Sequence, residues 1–409
     1  MKILLVHKFF KYSGGADVFF FETGRVLEER GHQVAYFSTQ DKDNLPSKWS
    51  SYFPAAPDFR SKSAVKKVKA LTKILYNRDA KKKFAQLLDD FQPDLIHAFN
   101  IMSQISPSIL IPAKHRNIPV VISLNDYKHI CPNYKLYRKG EICEKCKGGK
   151  FYHCMFDKCS HNSFSYSFAS MLEAYVHEQM KIYKNYISLF LFSSDFMAEK
   201  TEYFWDRKLL RGKLMNPFSV SKRRPIETKG EFGLYFGRLI DEKGVDILLK
   251  ALIIAKDVPF KIIGEGPDLE FLKAFASEHQ INNVEFLGPK WGNELNEYLD
   301  KAKFVVVPSI WHENFPYVIL QAFDAGKPVI ASRRGGMPEM VSEDRGMLYE
   351  AEDYQTLARL MQILNMDVDK CAEMGKNARQ YVETSFNDDR FYDDLITNYD
   401  KVLQFKQKP

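Results

Sequence analysis

Arg238, Lys243 and Glu313 are the residues of this chain whose types and settings could do chemistry together. Arg238 and Lys243 flank a turn between an apolar run, Gly233–Gly237, and the helical pattern Val245–Ala255. Glu313 lies in the polar segment Ser309–Asn314, between the apolar run Phe304–Val307 and a helical pattern that starts past Pro316. A strand, a polar loop and a helix N-terminus in succession is how α/β proteins present ligands at the carboxyl edge of a parallel sheet. The first turn of such a helix has unpaired N–H groups and the positive end of the dipole, so it suits an anion. Two cations and a helix N-terminus at one crevice describe a site for a diphosphate, with Gly335-Gly336 a further glycine-rich loop nearby. No paired carboxylates and no P-loop pattern accompany them to bring in Mg²⁺, so the protein itself would neutralise a leaving group there.

The elements that must position these residues alternate in two series. The first runs through Ile3–Phe9, a tight turn at Gly14-Gly15, a helix over 16–30, then strands at Gln33–Thr39, Leu95–Phe99, Val120–Leu124 and Leu189–Ser193. Polar segments follow two of these strands, Asn100 to Gln104 and Asn125 to His129. The Gly14-Gly15 pair lacks the spacing of a dinucleotide fingerprint. It could let backbone approach a phosphate or simply turn the chain. Polar residues from Ser221 to Gly230 read as a linker. The second series starts at Gly233 and continues through Phe260–Ile263, Val284–Leu287, Phe304–Val307, Pro328–Ser332 and Gly346–Tyr349. The pattern predicts two doubly wound parallel sheets. Residues 1–218 form an N-terminal domain with a Cys-rich insertion at 131–159, and 219–387 a nucleotide-binding domain. The tail 388–409 reads as a helix returning to the first.

Two further features carry chemistry of their own. Between Arg60 and Lys83 ten basic residues face one acid, Asp79, and Val65, Val68, Leu71 and Leu75 recur at helical spacing. This basic amphipathic helix could meet an anionic membrane surface, at about 1 kcal/mol per basic residue, or be a solvated face. No interleaved aromatics suggest base stacking, so nucleic acid is not expected. Cys143, Cys146, Cys154 and Cys159, with Cys131 as the rival ligand, have the spacing of a tetrahedral structural zinc site; reduced structural thiols are the alternative.

The whole chain has 409 residues, 45% hydrophobic and 27% charged, with a net charge of +7 and a pI near 8.8. Its length points to two domains or more, and its charge to acidic ligands. The start, Met1–His7, reads as a first strand rather than a signal peptide, and no run approaches a membrane span, so a cytoplasmic location is expected.

The motifs Gly237-Arg238-Leu239 with Lys243-Gly244, Gly264-Glu265-Gly266-Pro267, Glu313-Asn314-Phe315-Pro316, Gly326–Ala331 and Gly335–Glu339 stand in one order. In that order the C-terminal half resembles the retaining glycosyltransferases of family 4. The Gly14-Gly15 loop and Asn125–Pro132 look like a subgroup with a similar Cys cluster. The resemblance implies a GT-B fold, two Rossmann-like domains facing a central cleft. It also implies transfer of a sugar from a UDP or GDP donor with retention, without a metal in the chemistry. Arg238 and Lys243 would hold the diphosphate. Glu313, Asn314 and Phe315 would hold the sugar, with Gly14, Gly15, Gly237 and Gly264 lining the donor. The acceptor would be a glycan or lipid-linked glycan for a surface polysaccharide, at the inner face of a membrane.

Two positions depart from the family pattern. Gln321 stands where a second Glu normally accepts from the ribose, and a neutral acceptor makes a weaker hydrogen bond. Asn125 stands where a His is usual, and it cannot carry a proton. A non-catalytic nucleotide-sugar binder acting as an assembly partner is therefore the alternative, with a sugar-nucleotide epimerase third.

Overall fold

The computed structural model describes residues 1–58, 63–221 and 230–404. Arg60 and Lys62 of the basic run, Lys222–Lys229 of the linker and 405–409 of the tail lie outside the described residues. Fourteen strands occur among them: β1 Lys2–Val6, β2 Gln33–Phe37, β3 Leu95–Ala98, β4 Val120–Leu124, β5 Tyr137–Arg138, β6 Glu141–Ile142, β7 Leu189–Phe192, β8 Arg211–Lys213, β9 Phe232–Phe236, β10 Phe260–Ile263, β11 Val284–Phe286, β12 Ala302–Val307, β13 Val329–Ser332 and β14 Gly346–Tyr349. Two six-stranded sheets result, ordered β2-β1-β3-β4-β7-β8 and β11-β10-β9-β12-β13-β14, with β5 and β6 a separate hairpin. Every pairing given within the two sheets is parallel. Their strands are continuous apolar runs because parallel sheets are covered by helices on both faces.

The chain divides into two compact units. Unit 1 holds Met1–Leu136, Glu144–Pro217 and the tail from Asp388; unit 2 holds Tyr137–Cys143 and Phe218–Asn387. In unit 1 one face of the sheet buries Leu4, Val6, Ile96, Ala98, Phe84 and Leu87, and the other buries Ile3, Leu5, Phe19 and Phe20. The helix Asp388–Leu403 completes the second layer with Phe391, Leu395, Tyr399 and Val402. Arg25 clamps its first turn by donating to both oxygens of Asp388, at 3.0 and 2.9 Å. In unit 2 the sheet order reverses between β9 and β12, the topological switch point where α/β sheets bind ligands. The loops after those two adjacent strands carry Arg238–Lys243 and Ser309–Glu313.

Three local expectations need correction. The insertion 131–159 does not stay with the N-terminal domain: Tyr137–Cys143 packs with unit 2, where Tyr137 and Ile142 enter the apolar core. The basic helix is two helices, Ala64–Leu75 and Arg78–Phe91. Tyr76 between them is extended, and Asn77 caps the second by accepting from the Ala80 N–H at 3.0 Å. The buried side of the first helix is Ala70 and Ile74, while Val65 and Val68 are exposed. The long helix expected over 165–186 breaks at Lys181, which takes a left-handed conformation.

Two buried histidines tie unit 1 together. His97 on β3 bonds Tyr399 through Nδ1 and Ser123 through Nε2, both at 2.8 Å. His129 bonds Thr201 at 2.8 Å, a structural role. Burial pushes the His97 and His129 rings each down to about 3. Both rings are therefore neutral when folded, whereas in the unfolded chain they take up a proton near 6.5. Below that pH the unfolded state binds more protons, so the contribution to stability is complete above it and is lost progressively towards pH 3. Each ring should cost about 1.4 kcal/mol per pH unit within that window. Urea midpoints should fall steadily as pH drops from about 7 to about 4.5, with a shallower slope in His97→Gln; a flat profile would contradict this assignment.

Candidate functional site

Glu313 is buried in unit 2 with Lys243 beside it: Lys243 Nζ lies 2.5 Å from Glu313 Oε1. Ser309 Oγ donates to the same oxygen at 2.8 Å. Burial pushes the Glu313 carboxyl up, but the Lys243 ammonium and these hydrogen bonds outweigh it and hold the group below the ordinary carboxylate range. It is therefore ionised at neutral pH. Lys243 Nζ also lies 5.5 Å from the centre of the Trp311 ring, within reach of a cation–π contact. An ammonium has three donors, so after bonding Glu313 it retains donors for a further anion. Arg238 is exposed, and its guanidinium pairs with no acid among the described residues. Its backbone is anchored, because Tyr235 Oη donates to the Arg238 carbonyl at 2.8 Å.

The glycines around these side chains explain how close the loops can come. A Cβ on Gly335 would lie 1.9 Å from the Glu313 carbonyl oxygen, and the next residue, Gly336, donates its N–H to that oxygen at 2.7 Å. A Cβ on Gly244 would lie 2.2 Å from the Pro308 carbonyl, and its φ of +65° also favours glycine. Gly264 and Gly266 likewise face the carbonyls of Gly237 and Leu239. The glycines read as ligand approach in the sequence thus also pack loop against loop.

The remaining positions in unit 2 separate. The helix Tyr317–Asp324 begins after Pro316, so its first turn lies past Phe315. The Phe315 ring is buried, 6.1 Å from that of Phe386, and Asn314 is half-buried. Gln321 is exposed on the same helix.

In unit 1, Gly14 and Gly15 are exposed at the start of the helix Gly15–Glu29. Gly14 is extended, and a Cβ there would meet nothing within 4 Å, so the fold alone does not require glycine. Asn125 follows β4 with both side-chain amide atoms buried and without a hydrogen-bond partner. An unmade hydrogen bond of this kind costs about 1–3 kcal/mol, and such a cost is tolerated where a ligand supplies the missing partners.

Sequence reasoning missed the groups that hold these unit 1 loops. Glu173 accepts from the Ser103 N–H and hydroxyl, each at 3.0 Å, and pairs with Lys128 at 2.9 Å. Lys128 also donates to the Pro132 carbonyl at 2.7 Å. Asp17 accepts from the Ser13 N–H at 2.8 Å and from its hydroxyl at 2.5 Å, and bonds His7 at 2.7 Å. No motif signals these contacts. The residues stand 70, 45 and 10 positions apart, and only the sheet brings them together.

The zinc expectation does not fit this structure. Among the described residues no three His, Cys, Asp or Glu side chains group as metal ligands. The cysteines are instead distributed among different packing environments. Cys146 and Cys154 are buried with Phe151, and Cys159 packs against them. Cys131 belongs to the main core of unit 1 and donates to Asn133 at 2.9 Å. Cys143 belongs with unit 2.

Comparison with known proteins adds independent findings. Residues 13–203 match the model for Glycosyltransferase Family 4, and 219–381 the model for Glycosyl transferases group 1. An uncharacterized 42.6 kDa protein in the cps region of Klebsiella pneumoniae is 27% identical over 376 residues, covering 87% of this chain and 91% of that one. The putative colanic acid biosynthesis glycosyltransferase WcaL of Escherichia coli K12 is 31% identical over 162 residues, 37% of this chain and 40% of that one. Among solved structures, a sucrose-phosphate synthase from Thermosynechococcus elongatus matches with a TM-score of 0.71 at 17% identity, covering 99% of both chains. Anabaena Alr3699/HepE in complex with UDP matches with a TM-score of 0.63 at 17% identity, covering 98% of this chain and 100% of that one. At these identities the structures show the fold, which is GT-B.

The Asn125 geometry makes a prediction that needs no substrate. Asn125→Leu removes two buried polar atoms that lack partners, so the thermal midpoint should hold or rise by a few degrees. A clear fall would show that the amide contributes to folding rather than waiting for a ligand.

Proposed function

We propose, for a chain that belongs to the glycosyltransferases through its family 4 and group 1 domains, that it moves a hexosyl group from a nucleoside diphosphate sugar to a glycan or lipid-linked acceptor with retention at the anomeric carbon. The observation that carries the reading is the buried Lys243–Glu313 pair beside the unpaired Arg238, on the two loops at the switch point of the unit 2 sheet. Arg238 and the remaining Lys243 donors bind the diphosphate and stabilise the charge that grows on it as the glycosidic bond breaks. Glu313, held ionised, accepts from hydroxyls of the donor sugar, and the backbone at Asn314 and Phe315 positions the same sugar. Gly237 and Gly264 line the nucleotide side, and Gln321 accepts from the ribose as a neutral group. Asn125 supplies its unmet donor and acceptor to a substrate hydroxyl.

The donor is a UDP or GDP sugar. HepE was solved with UDP and with UDP-glucose, which supports a uridine donor. The acceptor reading draws on the relatives' surface polysaccharide roles, colanic acid for WcaL and amylovoran for AmsK of Erwinia amylovora. It also draws on the surface of unit 1. The helix Ala64–Leu75 exposes Val65, Lys66, Lys67, Val68 and Lys69 together, a basic and apolar face suited to anionic lipid. No helix among the described residues is long and apolar enough to cross a membrane, so the association proposed is peripheral. A second reading, a nucleotide-sugar binder that does not turn over, rests on Asn125 and Gln321, where a titratable group and a carboxylate are replaced by amides.

A thermal-shift screen of UDP and GDP sugars should give a donor that raises stability by about 2.7 kcal/mol at a hundred times its Kd. With that donor, Lys243→Ala and Glu313→Gln should lower kcat/KM by roughly a hundredfold or more. Unchanged rates would remove this site from the reaction, and donor binding without turnover would favour the second reading. Vesicles containing phosphatidylserine should retain the wild type at low salt and lose the Lys66→Glu, Lys67→Glu, Lys69→Glu triple variant. Equal retention of both would end the membrane assignment.

A further inference from the structure

The hairpin β5–β6 is an inserted piece of the first half of the chain that belongs physically to the donor-binding unit. Leu136 before it and Glu144 after it are in unit 1, while Tyr137–Cys143 is in unit 2. Its pairing is antiparallel, Tyr137 with Ile142 and Arg138 with Glu141. The two linking residues, Lys139 and Gly140, have φ values of +49° and +85°, the handedness that matches a tight two-residue hairpin turn. Tyr137 is 4% exposed, and it joins one apolar cluster with Leu239, Val245 and Ile310. Its hydroxyl donates to Asp241 Oδ2 at 2.8 Å.

Asp241 opens the three-residue turn Asp241–Lys243 that delivers Lys243 to Glu313. That turn is short, closed by Lys243 N–H to the Ile240 carbonyl at 2.9 Å and Gly244 N–H to the Asp241 carbonyl at 3.0 Å. The Glu242 carbonyl accepts from the Ile310 N–H at 3.0 Å, and Gly244 lies against the Pro308 carbonyl, so both of these attachments run to the loop after β12. At the other end of the turn, Asp241 is held by Tyr137. Asp241 is also close enough to Glu242, Asp246 and Asp268 that like charges act together there: burial raises the Asp268 carboxyl, and the three neighbouring carboxylates raise it further. A carboxylate among like charges needs a fixed donor to stay in one place, and a buried phenol is rigid enough to provide one.

We propose that Tyr137 is a positioning residue for the donor site: by hydrogen-bonding Asp241 it sets the turn that aims Lys243 at Glu313 and at the donor diphosphate. The inference rests on the donor reading given above, and it assigns the inserted hairpin a role in nucleotide binding.

The test uses the full chain, with UDP and GDP as probes in calorimetry and hydrogen exchange over 240–244 as a readout that needs no ligand. Tyr137→Phe keeps the ring and removes the donor; Asp241→Ala removes the acceptor. Each should speed amide exchange at Lys243 and Gly244 and weaken nucleotide binding roughly tenfold, with the thermal midpoint nearly unchanged. In a Lys243→Ala background, Tyr137→Phe should add almost nothing, because the two residues act through one contact. Unaltered exchange in both variants would overturn the inference, as would a Tyr137 effect fully additive to that of Lys243→Ala. If instead Lys243→Ala itself leaves the binding of both nucleotides intact, the donor-site reading fails, and the positioning role fails with it.

Discussion

The interaction on which the donor unit depends is the Lys243–Glu313 ion pair, buried at the carboxyl edge of a parallel sheet. Two charges taken out of water gain only if they are close and their remaining bonding capacity is met. Here Ser309 meets part of that need on the acid, and the Trp311 ring lies near the ammonium. Keeping the pair at 2.5 Å requires the loops after β9 and β12 to approach at backbone distance. Gly244 against Pro308 and Gly335 against Glu313 allow this, since any side chain at either glycine would occupy the space of a carbonyl. The site is therefore a product of loop packing before it is a product of charge.

The same logic appears in unit 1 with other residues. The loops after β3 and β4 are joined through one buried carboxylate, Glu173, which serves Ser103 and Lys128. The turn before the first helix is held by Asp17 through Ser13 and His7. Each is a buried acid whose bonds are made by loop residues, so a loop can remain ordered while its tip stays open. Asn125 is the exception, with a buried amide that bonds nothing in the protein. A group left so at a sheet edge fits a place kept for substrate.

What could be read in the sequence followed from periodicity and from local motif. Runs such as Phe304–Val307 and Val120–Leu124 are strands because continuous β-branched and aromatic stretches of that length suit a sheet covered on both faces. The strand ends, and with them the positions of Arg238, Lys243 and Glu313 on switch-point loops, followed directly. Periodicity misled where burial was one-sided or partial. Val65 and Val68 recur at helical spacing yet face solvent, because the packed side of that short helix is Ala70 and Ile74. The cysteine spacing suggested one ligand set, but spacing constrains only neighbours along the chain, and these thiols fall into different packing groups.

By itself, then, the sequence determined the two parallel α/β sheets, the family, and the identity of the charged residues at the donor site. Each of these depends on alternation, on motif order or on a glycine beside a charge, all of which are local. Tertiary structure alone decided which residues hold the site in place: Glu173 under the unit 1 loops, Tyr399 on His97 across 302 positions, and Tyr137 on Asp241 across 104. Such contacts are single hydrogen bonds between distant segments. They leave no periodic trace in the chain, and they exist only once the sheets have brought those segments together.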